Sequence, residues 1–113
     1  MKKILALSIL SFLLSTFAFA EGFKDTSDKK VTIAQALKMS DDMQVTLQGN
    51  LIKKISDDKY TFKDPTGTIT VEIDKDKWAG LSAETKDKLE ITGEIEKKFN
   101  VTYVDVDSIR KAK

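Results

Sequence analysis

Three observations on the sequence predict a mainly β domain that closes into a small barrel. Five segments alternate apolar and polar residues with a period of two, which is typical of half-buried strands. A stretch without that period, from Asp74 to Lys88, separates the third segment from the fourth. Gly49 and Gly93 recur at the same inward position of the first and fourth segments, where glycine marks a bulge or a bend at a barrel corner. This order of strands is the plan of a five-stranded OB-fold Greek-key barrel.

A short N-terminal helix precedes the strands, because Thr32 is a good N-cap and Ile33 and Leu37 follow at the i, i+4 spacing of one helix face. Asp41 ends this segment. Asp64-Pro65-Thr66-Gly67 predicts the turn between the second and third strands, since proline presets φ and glycine accepts a positive φ. A short helix or a loop is expected between the third and fourth strands. The inward residues of the five strands are Val45, Leu47 and Leu51; Tyr60 and Phe62; Ile69, Val71 and Ile73; Leu89, Ile91 and Ile95; and Val104, Val106 and Ile109.

The first twenty residues have the pattern of a cleavable export signal. Lys2 and Lys3 precede an apolar run, and Ala18-Phe19-Ala20 gives the small-x-small pattern that signal peptidase reads. The run is short for a bilayer core of about 30 Å, so a signal is favoured over a membrane anchor. The predicted organisation is therefore a signal peptide at 1–20, a flexible polar arm at 21–30 and the barrel at 31–113, with no membrane association after cleavage.

Composition excludes several kinds of chemistry. The 113 residues include no cysteine and no histidine, so the chain can build neither a thiolate nucleophile, an imidazole base nor a Cys/His zinc site. Serines have no histidine to activate them, and paired carboxylates would need a deep cleft to act as an acid and a base. The formal charge of +1 gives no general attraction to nucleic acid. We expect a non-enzymatic protein without a cofactor.

The order and spacing of several short motifs resemble one known family. The motifs are Val45-x-Leu47-x-Gly49, Tyr60-x-Phe62-x-Asp64-x-x-Gly67, Val71-x-Ile73-Asp74, Trp78-x-Gly80, Ile91-x-Gly93-Glu94 and Val104-Asp105-Val106. Together they resemble the bacterial OB-fold (BOF) family of exported stress-tolerance proteins. The resemblance implies a periplasmic ligand-binding module without known catalysis, linked to peroxide, metal or envelope stress. The chain departs from the family pattern at Phe99-Asn100-Val101, where a more polar stretch is expected.

The outward face of the first three strands is the predicted ligand site. Hydroxyl and amide side chains dominate it, and these can hydrogen-bond a sugar or an amide-bearing ligand. The same residue types also suit a plain solvated strand face. The face has no aromatic side chain and one lysine, so single-stranded nucleic acid is not expected to bind. The candidate residues are Thr46, Gln48, Asn50, Thr61 and Thr70, with a small molecule or a peptidoglycan fragment as ligand.

Trp78 is the sixth candidate residue and has two interpretations. An aromatic side chain from this connection can plug the open end of the barrel, or it can form a floor for a sugar ring.

Two alternative functions remain open. Phe99, Val101 and Tyr103 form an apolar stripe on the final hairpin, which suits a protein–protein adaptor. Asp105 and Asp107 stand at the i, i+2 spacing that turns two side chains to one side of a strand, so they are candidates for binding a hard cation. Neighbouring lysines and the lack of a calcium-loop pattern argue against that cation site.

Overall fold

The computed structural model describes residues 30–112 and confirms the predicted fold. The predicted signal peptide and arm lie outside this range, apart from Lys30. No helix among the described residues is long and apolar enough to span a membrane. The elements are the helix α1 (Ile33–Ala36), the strands β1 (Gln44–Lys54), β2 (Lys59–Asp64) and β3 (Gly67–Glu72), a 3₁₀ helix (Lys75–Trp78), and the strands β4 (Leu89–Lys98) and β5 (Val101–Lys111).

The five strands close into a barrel in the order β1-β2-β3-β5-β4. All neighbouring strands are antiparallel except β3 and β5, which pair in parallel over three residue pairs. This is the Greek-key order of an OB fold. Every second strand residue points inward, and Phe62, Leu47 and Ile91 are fully buried. These inward side chains form the single core of the barrel.

Helix α1 covers one end of the barrel. Thr32 caps it as predicted, since its hydroxyl accepts a hydrogen bond from the Gln35 amide and the Gln35 side chain accepts one from Thr32 N. Ile33 and Ala36 are fully buried. Leu37, which we expected on the same buried face as Ile33, is 40% exposed because the helix ends before it and Leu37 is the C-cap.

The two strand glycines lie where other backbone segments come close. A Cβ at Gly49 would collide with the carbonyl oxygen of Lys63, and a Cβ at Gly93 would collide with the carbonyl oxygen of Asp105. Gly67, by contrast, leaves room for a methyl group, since the nearest heavy atom would be 3.9 Å away. Its φ is not positive, so the turn does not need the conformational freedom that we expected glycine to supply there, and Gly67 is the first residue of β3. Both Gly49 and Gly93 thus allow a close backbone approach, and Gly93 also lies at the register shift between β4 and β5.

Two strands carry one extra residue each. Leu51 pairs with Phe62 and Lys53 with Thr61, so Ile52 has no partner on β2. Gly93 pairs with Val106 and Thr92 with Ser108, so Asp107 has no partner on β4. Such bulges interrupt the alternation of side chains along a strand. The regular strand spacing assumed for the Asp105 and Asp107 pair therefore ends at the second of these residues.

A candidate ligand groove on strand β1

The turn between β2 and β3 forms one wall of a groove on the outside of β1. Asp64 Oδ1 accepts hydrogen bonds from the Thr66 amide at 2.7 Å, the Thr66 hydroxyl at 2.6 Å and the Gly67 amide at 3.2 Å. Asp64 Oδ2 accepts from the Ile33 amide at 3.0 Å, which joins the turn to the start of α1. Burial raises the pKa of Asp64, but these hydrogen bonds outweigh it and the pKa lies below its ordinary value.

The connection between β3 and β4 forms the opposite wall. Asn50 on β1 donates from Nδ2 to the carbonyl oxygens of Thr85 and Asp87, both at 3.0 Å. Asp87 also accepts a hydrogen bond from the Glu84 amide at 2.7 Å, which tightens the connection. The Asn50 side chain thus holds the β3–β4 connection against the barrel surface, where the connection forms a wall of the groove.

These two walls enclose what we call the β1 groove. Its central cavity has a volume of about 390 Å³ and is lined by Gln48, Gly49, Asn50, Ile52, Lys63, Asp64, Pro65, Thr85 and Lys88. A second cavity of about 330 Å³ shares Gln48, Asp64, Pro65 and Lys88 with the first and extends toward α1. A third, of about 260 Å³, meets the first at Ile52 and Thr85 and extends to Trp78. The volume is in the range of a small-molecule site.

The charges around the groove favour an anionic ligand. Lys63 and Lys88 are exposed and form no ion pair with residues 30–112. The nearby carboxylate of Glu90 is compensated, since Arg110 lies 2.9 Å away and Lys30 3.9 Å away. The hydrogen bond from Arg110 lowers the pKa of Glu90 despite its partial burial. The central cavity therefore presents two lysines without an ion pair among residues 30–112 and one carboxylate, Asp64, which is hydrogen-bonded but not ion-paired.

The groove collects three of the six predicted ligand residues. Gln48 and Asn50 line its centre, and Trp78 lines its far end. Thr61 and Thr70 lie opposite each other on β2 and β3, outside the three cavities.

Thr46 differs from the expectation of a solvated outer face, since it is only 4% exposed. Its hydroxyl is 3.1 Å from that of Thr92, and its carbonyl oxygen accepts from the Val31 amide. The segment before α1 therefore covers it.

Trp78 has features of both of its predicted roles. Its ring meets the ring of Tyr60 edge to face, with centroids 5.8 Å apart and an interplanar angle of 75°, and it packs against the core. It is also only half-buried and forms part of the groove lining. The side chain thus packs against the core on one side and lines the groove on the other.

Sequence reasoning missed Lys88, Ile52 and Pro65 as groove residues. The folding of the β3–β4 connection over β1 depends on contacts between residues 35 and 37 positions apart, which no local pattern reveals. The alternation of apolar and polar residues along β1 does not reveal the bulge at Ile52 either. Lys63 was recognised as the single basic residue on the outer face, but its neighbour Lys88 comes from that connection.

Among residues 30–112, neither Asp105 nor Asp107 belongs to a group of three acids whose carboxylates lie within 4.8 Å of one another. The carboxylate groups that lie within 4.8 Å of one another among residues 30–112 are Asp41, Asp42 and Glu96, and Asp58, Glu72 and Asp74. The proposed chelating pair therefore stays a prediction from spacing alone.

Comparisons with known proteins agree with this architecture. The sequence profile described as Bacterial OB fold (BOF) protein matches residues 13–111. YgiW from Escherichia coli is 48% identical over 80 residues, which cover 71% of this chain and 62% of that protein. The calcium-regulated OB-fold protein CarO from Pseudomonas aeruginosa is 32% identical over 103 residues, 89% of each chain. A solved structure of YgiW superposes with a TM-score of 0.74 and 45% identity, covering 80% of this chain and 98% of the other. The chain belongs to the bacterial OB-fold (BOF) family.

Proposed function

We propose that this protein is a non-enzymatic binding module of the periplasm that contributes to envelope or stress tolerance, and that its β1 groove binds a peptidoglycan fragment. The observation that carries the proposal is the combination of fixed amide side chains and two unpaired lysines in one groove. The predicted export signal at residues 1–20 supports the compartment.

The chemistry of the groove matches the chemistry of a cell-wall fragment. Such a fragment carries hydroxyl and acetamide groups on its sugars and carboxylates on its peptide. Gln48 and Asn50 are suited to the amides and hydroxyls, and Lys63 and Lys88 to the carboxylates. Ile52 and Pro65 offer an apolar surface for the sugar ring or a methyl group.

The groove residues also support a role in binding rather than catalysis. Asp64 lines the groove and Glu90 accepts a hydrogen bond from the groove residue Gln48, and the pKa of each carboxylate is lowered by hydrogen bonds. Neither is suited to donate a proton at neutral pH. The chain contains no histidine or cysteine that could serve as base or nucleophile.

The test is an NMR titration of the purified protein with a soluble muropeptide. We expect saturable amide shifts at residues of the β1 groove, and a loss of about tenfold in affinity when Lys63→Gln and Lys88→Gln are combined. Lys38→Gln with Lys75→Gln is the matched control, since both lysines are exposed and outside the groove. Shifts spread over the whole barrel, or equal affinity of the two double variants, would contradict the proposal.

Calcium and a short oligonucleotide belong in the same titration as competing ligands. Calcium is included because the relative CarO is named as calcium-regulated. Shifts with calcium at the acidic trios, without muropeptide shifts in the groove, would favour cation binding instead.

A second variant separates the two roles of Trp78. Trp78→Leu keeps apolar bulk against Tyr60 but removes the flat aromatic surface. We expect the melting temperature to fall by a few degrees and the muropeptide affinity to fall as well. Unchanged affinity would show that Trp78 only closes the barrel.

A further inference from the structure

The tip of the β4–β5 hairpin contains an aromatic residue in an unfavourable backbone conformation. Lys98 pairs with Val101, so Phe99 and Asn100 alone form the turn, with φ angles of 50° and 65°. Two-residue turns with two positive φ angles favour asparagine and glycine, whereas a bulky residue is disfavoured there. Phe99 is also 95% exposed, so no packing compensates for its backbone conformation. The presence of phenylalanine at this position is not explained by the stability of the hairpin.

An apolar stripe continues from the tip along β5. Val101 is 52% exposed, and Tyr103 is half-buried. Val104 and Val106 point into the core, so the odd-numbered residues between 101 and 105 lie on the outer side of the barrel. The stripe is therefore continuous with the outer surface of the sheet rather than with the core.

Acidic residues flank the stripe in a row across three strands. Glu72 on β3 pairs with Asp105 on β5, which pairs with Glu94 on β4. Like charges that face each other across strands repel. None of the three forms an ion pair with residues 30–112. Burial, together with Asp58, Asp105 and Asp74, raises the pKa of Glu72 although Lys59 is nearby.

Glu96 continues the row toward the tip, opposite Tyr103. Burial and the carboxylates of Asp41 and Asp42 raise its pKa, with Lys98 acting in the opposite sense. We call the outer surface formed by Glu72, Glu94, Glu96, Tyr103, Asp105 and the Phe99 tip the hairpin face.

We propose that the hairpin face is a docking surface for a protein segment that carries basic side chains beside apolar ones. Lysine or arginine side chains of such a segment would neutralise the facing carboxylates, and its apolar side chains would cover Phe99 and Val101. Lys98 lies beside the tip, opposite Val101, but the four carboxylates of the face outnumber it, so we expect an anionic lipid surface to bind less well than a basic segment. Two copies of the same face would repel each other through these carboxylates, which disfavours a symmetric dimer.

The test uses two synthetic peptides on the purified protein. The probe is an extended peptide of alternating lysine and leucine, and its counterpart replaces every lysine by glutamate. We expect saturable NMR shifts at residues of the hairpin face with the lysine peptide alone, and an affinity that falls as salt is raised. Equal shifts with the glutamate peptide, or shifts scattered over the barrel, would overturn the proposal.

The variant Phe99→Asn tests the role of the aromatic side chain in peptide binding without destabilising the fold. Asparagine suits the turn, so the melting temperature should rise by about 4 °C while the affinity for the lysine peptide falls about tenfold. Ile55→Asn is the matched control, since Ile55 is 52% exposed in the connection between β1 and β2 and is not part of the hairpin face. Unchanged affinity of Phe99→Asn would overturn the proposal.

Two further measurements oppose the proposal directly. Sedimentation of the protein with vesicles of anionic lipid, lost in Phe99→Asn, would show that the tip contacts membranes instead. Concentration-dependent association of the protein alone, lost in the same variant, would show that a second copy is the partner.

Discussion

The β1 groove and the hairpin face lie on one barrel but are built in different ways. In the groove, Asp64, Gln48 and Asn50 each hydrogen-bond to a neighbouring segment, and the surface is concave. On the hairpin face, carboxylates oppose carboxylates and an aromatic residue projects into solvent. The barrel determines which side chains point inward. The connections between strands cover some outer strand surfaces and leave others exposed, and this determines whether an outer surface forms a groove or stays open to solvent.

The two regions also respond to pH in opposite directions. The pKa of Asp64 is lowered in the folded protein, so its contribution to stability exists above its ordinary value of 3.8 and is lost as pH falls through the lower folded value. The pKa of Glu72 is raised, so its contribution is present below its ordinary value of 4.5 and is lost as pH rises through the higher folded value. At neutral pH the groove is in its favourable charge state and the hairpin face is not.

The largest effect on stability is expected from adding a methyl group at Gly49 or Gly93, where another backbone segment comes close. Gly49→Ala places a Cβ against the Lys63 backbone under the groove, and Gly93→Ala places one against the Asp105 backbone under the hairpin face. Each should lower the free energy of unfolding by about 3 kcal/mol in urea titrations. Gly67→Ala is the control and should change it by less than about 0.5 kcal/mol. Equal stabilities of all three variants would show that neither close approach is tight.

Asp64→Ala should weaken the connection between the β2–β3 turn and α1, leaving the hydrogen bond from the Ala34 amide to the Thr66 hydroxyl at 3.0 Å. Four hydrogen bonds to one carboxylate are lost, so we expect a loss of about 2 kcal/mol in the free energy of unfolding at pH 7. The difference from the unmodified protein should shrink as pH falls below 3.8. Asp57→Ala is the control, because Asp57 is exposed. A difference that stays constant with pH would argue that the backbone of the turn, and not the carboxylate, holds the helix.

Phe99→Asn should stabilise the protein. Relief of the left-handed phenylalanine is worth about 1 kcal/mol, and no buried contact is lost because the side chain is 95% exposed. Chemical unfolding measures the gain. A loss of stability would mean that the aromatic ring stabilises the hairpin. The hairpin face would then differ less from the β1 groove, whose side chains are held by hydrogen bonds.

Glu72→Gln should give the smallest change, and the size of the change should depend on pH. Removal of one charge from the acidic row should raise the free energy of unfolding by about 0.5 kcal/mol at pH 7. The gain should disappear below pH 4.5, where the glutamate is protonated in the folded and the unfolded protein. Glu84→Gln, at an exposed position in the β3–β4 connection, is the control. A gain that persists at low pH would exclude charge repulsion as its cause.

The barrel could be predicted from the sequence because its strands, helix cap and turn each depend on residues that are close together in the chain. Alternation of Ile69, Val71 and Ile73, the Thr32 cap and the Asp64 turn each follow from short-range chemistry, and the structure has all three. The groove was harder to predict, since its walls are joined by Asn50 to a connection more than thirty residues away. The cover over Thr46 comes from Lys30, the last residue of the predicted polar arm, and Val31, the first residue of the predicted barrel domain.

The pairing between β3 and β5 has a kinetic consequence. Three residue pairs, Thr70 with Tyr103, Val71 with Val104 and Glu72 with Asp105, close the whole barrel. They join segments 33 positions apart with fewer residue pairs than any other strand pair has, so few contacts offset the loop entropy of closing the barrel, and they should form late in folding. We expect this seam to open first in the native state, with the fastest hydrogen exchange of all the strand pairs. Tyr103 and Asp105 also belong to the hairpin face. A partner that binds there should therefore stabilise the pairing of β3 with β5 and slow the hydrogen exchange of this strand pair.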